Sequence, residues 1–336
     1  MPGVGNWLAR TWRQRGLVAC LLWPLSMLYS ALSGLHRSLY RIGLFKTERV
    51  NVPVIVVGNV VAGGAGKTPL VIALAKHLQQ RGLTVGVVSR GYGRQGKDCL
   101  QVLEDAPISA SGDEPALILR ALAAPVFVAN KRIEAARALV EKYPATQVII
   151  SDDGLQHHSL ARDIEITVFD DRGTGNGWLL PAGPLRERWP GQRKTSLVLH
   201  TGQSPAFGGF VSTRRLADYA ITANGRQVLL DDLKRQPLTA LAGIANPYAF
   251  FEMLAARGLP LKQTISLPDH FDFSEFTLPG QPGGVVLCTE KDAVKLFKLP
   301  AKNKAQLLAV PLEFAPESAF LKAVDEQLAA LLHKRS

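Results

Sequence analysis

Cysteine is scarce in this sequence: Cys20, Cys99 and Cys288 stand far apart and in no CxxC spacing. That excludes a disulfide framework or a zinc cluster and fits a reducing compartment. Charge is thin as well, at 20% of residues against 47% hydrophobic, so the chain is no disordered polymer. Acidic residues are the scarcer sign, with 28 Asp and Glu against 39 Lys and Arg, a formal charge of +11. Such an excess attracts nucleic acid, anionic lipid or phosphorylated metabolites. The basic residues are scattered without an aromatic-interleaved motif, so no nucleic-acid partner is expected. Internal repeats and low-complexity tracts are missing too, and 336 residues suffice for one large domain or two smaller ones.

What is present begins with an uncharged stretch between Arg15 and Arg37, GLVACLLWPLSMLYSALSGLH. As a helix it would reach roughly 30 Å, one hydrocarbon thickness. Pro24 interrupts it, Ser26, Ser30 and Ser33 dilute it, and cations flank both ends: Arg10, Arg13 and Arg15 before, Arg37, Arg41, Lys46 and Arg49 after. Cations on both sides favour an interfacial helix on an anionic leaflet over a crossing one. The competing readings are a secretory signal, with Ala31-Leu32-Ser33 as a small-residue cleavage site, and a buried core helix.

Val54-Ile55-Val56-Val57 has the pattern of a strand buried on both faces of a parallel sheet. GNVVAGGAGKT follows at 58–68, and then a helix with Pro69 in its first turn. Strand, glycine-rich turn and helix start are what a phosphate loop requires, because main-chain N–H groups and a helix dipole must converge on the anion. Gly63, Gly64 and Gly66 let the backbone approach closely; Lys67 would reach the β- and γ-phosphates and the Thr68 hydroxyl would ligate Mg²⁺. The expected nucleotide site is therefore Val61, Ala62, Gly63, Gly64, Ala65, Gly66, Lys67 and Thr68, with ATP and Mg²⁺ as cofactors. Val61 stands where the standard spacing puts the first glycine, and the GGxGKT core is similar to the loop of partitioning ATPases, which carry a signature Lys where Ala62 stands.

Val148-Ile149-Ile150-Ser151-Asp152-Asp153-Gly154 is a second buried strand, ending in paired carboxylates. Strand ends of this kind deliver a metal-binding Asp, for which Asp152 comes first and Asp153 second; an ordinary turn is the alternative. Asp113 and Glu114 open a helix, where capping is the plain role for Asp113. His270, in Pro268-Asp269-His270-Phe271, reads from sequence alone as a solvated loop histidine. Arg186, Arg188, Arg193 and Lys194 beside Trp189 suit a loop meeting phosphate and acyl chain together, and Arg90, Arg94, Lys131 and Arg132 are similar candidates.

In this order, VGNVVAGGAGKTP, SRGYGR (89–94), SGDEP (111–115), NKR (130–132), SDDGLQH (151–157), PAGPLRE (181–187) and TEKDAVKL (289–296) resemble the tetraacyldisaccharide 4'-kinase family, the lipid A kinases of Gram-negative bacteria. The resemblance implies transfer of the ATP γ-phosphoryl to the 4'-hydroxyl of a tetraacylated, 1-phosphorylated glucosamine disaccharide. It implies Asp113 as base on that hydroxyl, His270 orienting it, and Lys67 in catalysis. It also implies Thr68, Asp152, Asp153, Glu114 and Glu187 around the metal, and Arg94, Asn130, Arg132 and Arg186 toward the lipid substrate. The implied setting is a monomer on an anionic membrane surface, the cytoplasmic face of a bacterial inner membrane. A membrane-associated switch ATPase of the partitioning type is the alternative function.

Apolar runs alternating with helical stretches up to about residue 200 predict an α/β fold, a P-loop NTPase-like, doubly wound, mostly parallel sheet. Shorter pieces after Gly202 predict a smaller C-terminal α/β lobe. The expected division is 1–48 for a membrane-associated helical segment, 49–205 for the nucleotide-binding core and 206–336 for the lobe.

Overall fold

The computed structural model describes residues 11–190, 196–279, 284–299 and 306–334; Arg10, Arg193 and Lys194 lie outside them. The elements run α1 (Leu17–Arg41), β1 (Val54–Gly58), α2 (Lys67–Gln80), β2 (Val85–Ser89), β3 (Leu100–Gln101), α3 (Asp113–Ala121), β4 (Val126–Val128) and α4 (Arg132–Lys142). Then come β5 (Val148–Asp152), β6 (Ile164–Phe169), β7 (Ser196–His200), β8 (Phe210–Leu216), β9 (Tyr219–Ile221), β10 (Gln227–Leu229), β11 (Leu238–Ala242) and α5 (Pro247–Ala256). The chain closes with β12 (Leu261–Ser266), β13 (Val285–Thr289), α6 (Glu290–Leu296), β14 (Gln306–Val310), β15 (Leu312–Pro316) and α7 (Ser318–His333).

Among the described residues the strands form two sheets, the larger in the order β15-β8-β7-β6-β1-β5-β2-β4-β3 and the smaller in the order β10-β9-β14-β13-β11-β12. In the larger sheet every pairing from β8 through to β4 is parallel, and the two edge strands β15 and β3 run antiparallel. β1, β2 and β5 are buried along their whole length, which explains why Val and Ile dominate them: helices cover both faces. α2, α3 and α7 pack on one face around Ile55, Leu74, Ile118, Phe320 and Val324; α4 covers the other with Ile133 and Leu139. The smaller sheet holds its own core on either side, around Phe250 and Leu254 of α5 and around Phe273, Ala293 and Leu296. It is a separate sheet, not an extension of the first, and the carboxyl-terminal β15 and α7 return to the larger one.

The register of β1 against β5 is what builds the site. Val57 pairs with Asp152, so the last residue of β5 lies beside the strand end from which the glycine-rich loop departs. β1 sits between β5 and β6, and the ends of parallel strands at such a reversal of strand order leave a crevice for ligands.

α1 presents Leu17, Leu21, Leu25, Leu28, Leu32 and Leu35 outward, all strongly exposed, at the three- and four-residue spacing of one helix face. Its opposite face is pinned: Ser26 Oγ donates to Leu179 O at 2.8 Å and accepts from Ala182 N at 3.0 Å, and Tyr29 Oη donates to Arg186 O at 2.8 Å. The helix is long and apolar enough to cross a membrane by length and composition, with little of it buried against the protein.

Candidate active site

The loop 59–66 is held at its carbonyls, by its own Asn59 and by residues from elsewhere in the fold. Asn59 Nδ2 donates to Val61 O (2.6 Å) and Gly63 O (3.0 Å); Arg172 donates to Ala62 O (3.1 Å) and Gly64 O (3.2 Å); Thr201 Oγ1 donates to Ala65 O (2.8 Å). Gly63 (φ 98°) and Gly66 (φ 84°) adopt left-handed backbone, and the guanidinium groups of Arg172 and Arg214 fill the space their side chains would need. With these carbonyls tied back, the glycine turn runs straight into the start of α2, the arrangement that suits a polyphosphate. Lys67 opens α2; its Nζ donates to Asn59 Oδ1 at 3.2 Å and lies 3.6 Å from Asp153 Oδ1. Thr68 follows, buried in the first turn.

Asp152 is fully buried, and neither carboxylate oxygen has a hydrogen-bond partner. Burial first, then the nearby charges of Glu114 and Asp153, push its carboxyl up to about 7 against the pull of Lys67 and Arg132. A charged, unpartnered carboxylate in a protein interior costs of order several kcal/mol, so this group is built either to hold a proton or to meet a cation. Asp153 differs: burial would raise it, but Lys67, Arg186 and Arg132 together hold it below the usual range, and Arg186 Nη1 sits 3.3 Å from its Oδ1. The residues fit Mg²⁺, a hard cation that takes oxygen ligands and keeps several waters. Among the described residues no three acidic, His or Cys side chains close on one point by themselves.

Across from this loop lies a second cluster. Asp113, nearly buried at the start of α3, has its two oxygens 2.9 and 3.0 Å from His270 Nδ1, and Lys295 Nζ lies 3.1 Å from Oδ2. Asp113 is thus no helix cap: none of its side-chain atoms bonds the first turn, and Gly112 occupies the cap position. Burial alone would raise its carboxyl, but the hydrogen bond from His270 and the ammonium groups of Lys291 and Lys295 hold it well below the carboxylate range. The same hydrogen bond raises His270, outweighing burial and Lys291. His270 is partly buried and packs on Tyr92 with ring centroids 5.0 Å apart, so the solvated reading of this histidine gives way to a paired one.

The remaining sequence-picked residues distribute as follows. Arg186 joins Asp153, as above. Glu187 accepts from Gln156 Nε2 at 2.9 Å and lies 3.5 Å from Arg37 of α1. Glu114 is 3.9 Å from Lys291. Arg132, almost wholly buried, donates to the carbonyls of Asp152 (3.1 Å) and Asp153 (3.3 Å), so it braces the strand end from behind. Asn130 is exposed and lines a groove of about 490 Å³ with Lys131, Gln156 and His157, walled by His36 and Tyr40 of α1. Arg94 lies beside Gly91, which also packs on the Ser111 carbonyl two residues before Asp113, and donates to Asp98 O at 2.7 Å. Asn59, Arg172 and Thr201 were not singled out from sequence; a polar residue directly after the buried strand β1 is the one local signal for Asn59, and the others reach the loop only through the fold.

The family model of tetraacyldisaccharide-1-P 4'-kinase matches residues 18–329. A tetraacyldisaccharide 4'-kinase from Polaromonas naphthalenivorans (strain CJ2) is 61% identical over 327 residues, 97% of this chain and 95% of its own length. One from Acidovorax ebreus (strain TPSY) is 53% identical over 326 residues, 96% of this chain and 95% of its own. Among solved structures, LpxK from Aquifex aeolicus in complex with ATP superposes with a TM-score of 0.79 at 30% identity, over 93% of this chain and all of that one.

Proposed function

The chain belongs to the tetraacyldisaccharide-1-P 4'-kinase family, and from that premise we propose that it moves the γ-phosphoryl group of ATP onto the 4'-hydroxyl of a tetraacylated disaccharide 1-phosphate, a step in lipid A biosynthesis. The observation that carries this is a phosphate loop beside an unpartnered buried Asp152, together with a separate Asp113–His270 pair whose neighbour Glu114 lies close enough for its charge to act on Asp152. A switch ATPase needs the first two; only a kinase needs a proton acceptor for an alcohol.

In this reading the loop amides and Lys67 hold the β- and γ-phosphates in line, and Thr68 and Asp152 would hold Mg²⁺, with Asp153, Glu114 and Glu187 nearby. When bound, the metal neutralises charge on the phosphate oxygens. The hydroxyl oxygen bonds to the γ-phosphorus as the bond to the β–γ bridging oxygen breaks, leaving ADP. Asp113, steadied by His270, takes the hydroxyl proton. Arg186 and Asn130 support the acceptor side while Arg132, buried, acts only by bracing the carboxylate pair from behind; the Asn130 groove beside α1 is the acceptor's route in from the lipid, and Arg94 would serve the same lipid. The leucine face of α1 lies in the cytoplasmic leaflet of the inner membrane, an anionic surface that the flanking cations favour.

The test is to incubate purified protein with γ-labelled ATP and the disaccharide 1-phosphate lipid in micelles, then identify the product by mass spectrometry. A bisphosphorylated lipid is expected; ATP turnover with no phosphorylated lipid would overturn the proposal in favour of a switch ATPase.

A further inference from the structure

The segment TEKDAVKL takes no part in the phosphate loop or the strand-end carboxylates, yet α6 carries two of its ammonium groups to the Asp113–His270 pair. Accepting that pair as the proton acceptor, we propose that Lys295 and Lys291 are its positioning residues: Lys295 fixes the Asp113 carboxylate and Lys291 fixes the ring of His270.

Lys295 Nζ lies 3.1 Å from Asp113 Oδ2 and donates to Phe271 O, also at 3.1 Å. One ammonium therefore ties the carboxylate on α3 to the main chain next to the histidine. Lys291 Nζ lies 2.8 Å from Asp269 Oδ1, 3.4 Å from His270 Nε2 and 3.9 Å from Glu114. Nδ1, facing the Asp113 carboxylate, carries a ring proton, while Nε2 on the other side of the ring faces the Lys291 ammonium and, at 3.8 Å, the Asp269 carboxylate that Lys291 itself holds. The two lysines grip opposite sides of one dyad.

Four further observations support this grip. His270 has φ of 61°, a left-handed conformation that is strained for a non-glycine residue and persists only when its surroundings impose it. The start of α6 is itself locked: Asp292 accepts from Gly243 N (3.0 Å) and from Thr289 Oγ1 (2.6 Å), joining the ends of β11 and β13 to the helix. Both lysine side chains are mostly buried, 16% and 20% exposed, so they are not solvated surface cations with a loose partner. Asp113 and Glu114 come from the larger sheet's layer and Asp269, His270, Lys291 and Lys295 from the smaller's, so the dyad is assembled only where the two layers meet.

The test uses the full chain in lipid–detergent micelles, measuring kcat, the KM for each substrate and the thermal unfolding midpoint. Lys295→Ala should lower kcat about ten- to hundredfold with the KM for ATP within about twofold, and Lys295→Arg or added methylammonium should restore part of the loss. In an Asp113→Ala background, Lys295→Ala should cost less than about twofold more, since a residue acting through Asp113 has nothing left to act on. Lys291→Ala should behave likewise against His270→Ala. Losses that multiply independently, or that track a falling unfolding midpoint without rescue by Arg or amine, would overturn the positioning role. Wild-type turnover in Asp113→Ala alone would instead remove the acceptor reading beneath it.

Discussion

The two halves of the crevice are made in opposite ways. The phosphate side is local: strand β1, the loop and α2 are consecutive, and the strand end that supplies Asp152 is set beside them by a single parallel register. The proton-accepting side is assembled from positions 113, 270, 291 and 295, brought together by two different sheets. Local construction gives a site that survives sequence change around it, whereas distributed construction gives one that depends on how two layers dock.

The largest effect expected from this contrast is on the local half. Lys67→Ala removes the one ammonium aimed along the loop and should lower transfer about a thousandfold or more with secondary structure and unfolding midpoint unchanged; retained transfer would mean that the loop does not hold the phosphates. Next comes the distributed half: Asp113→Ala should lower kcat about 10²- to 10⁴-fold while ATP affinity, measured by calorimetry, stays near wild type. Parallel loss of ATP binding would erase the distinction between the halves.

The smallest effect sharpens the comparison through stability. Asp152 is raised to about 7 from an unfolded value near 3.8, so the folded chain binds a proton that the unfolded chain releases. The stability that goes with this proton is present at low pH and is lost as pH rises through 7. In chelator, Asp152→Asn should therefore unfold at a higher temperature than wild type at pH 8, with the gap closing toward pH 5. Added Mg²⁺ should stabilise wild type and leave Asp152→Asn unmoved. Asp113 runs the other way: its carboxyl is held low, so its stabilising contribution is present throughout the neutral range and falls away only in acid.

The same contrast explains what the amino-acid order revealed. The loop, the β1 strand, the helix behind it and the paired carboxylates of β5 could be read directly, because buried parallel strands are continuous apolar runs and a glycine-rich turn ending in Lys-Thr between a buried strand and a helix marks a phosphate loop even where Val61 replaces the usual first glycine. His270 could not be read from its neighbours: nothing in Asp269-His270-Phe271 shows that a carboxylate 157 positions away will face it. Arg132 looked like any basic residue at a helix start, and only burial reveals that it props the carbonyls behind Asp152. The return of β15 and α7 to the larger sheet was equally hidden, since an edge strand and its helix carry no mark of which sheet they will join.

Arg186 grips the Asp153 carboxylate with its guanidinium while its carbonyl receives the Tyr29 hydroxyl of α1, and Glu187 next to it takes Arg37. The amino-terminal helix is therefore no loose tether. A displacement of α1 would bear first on Arg186 and Glu187, the two consecutive residues that hold Asp153 and Gln156.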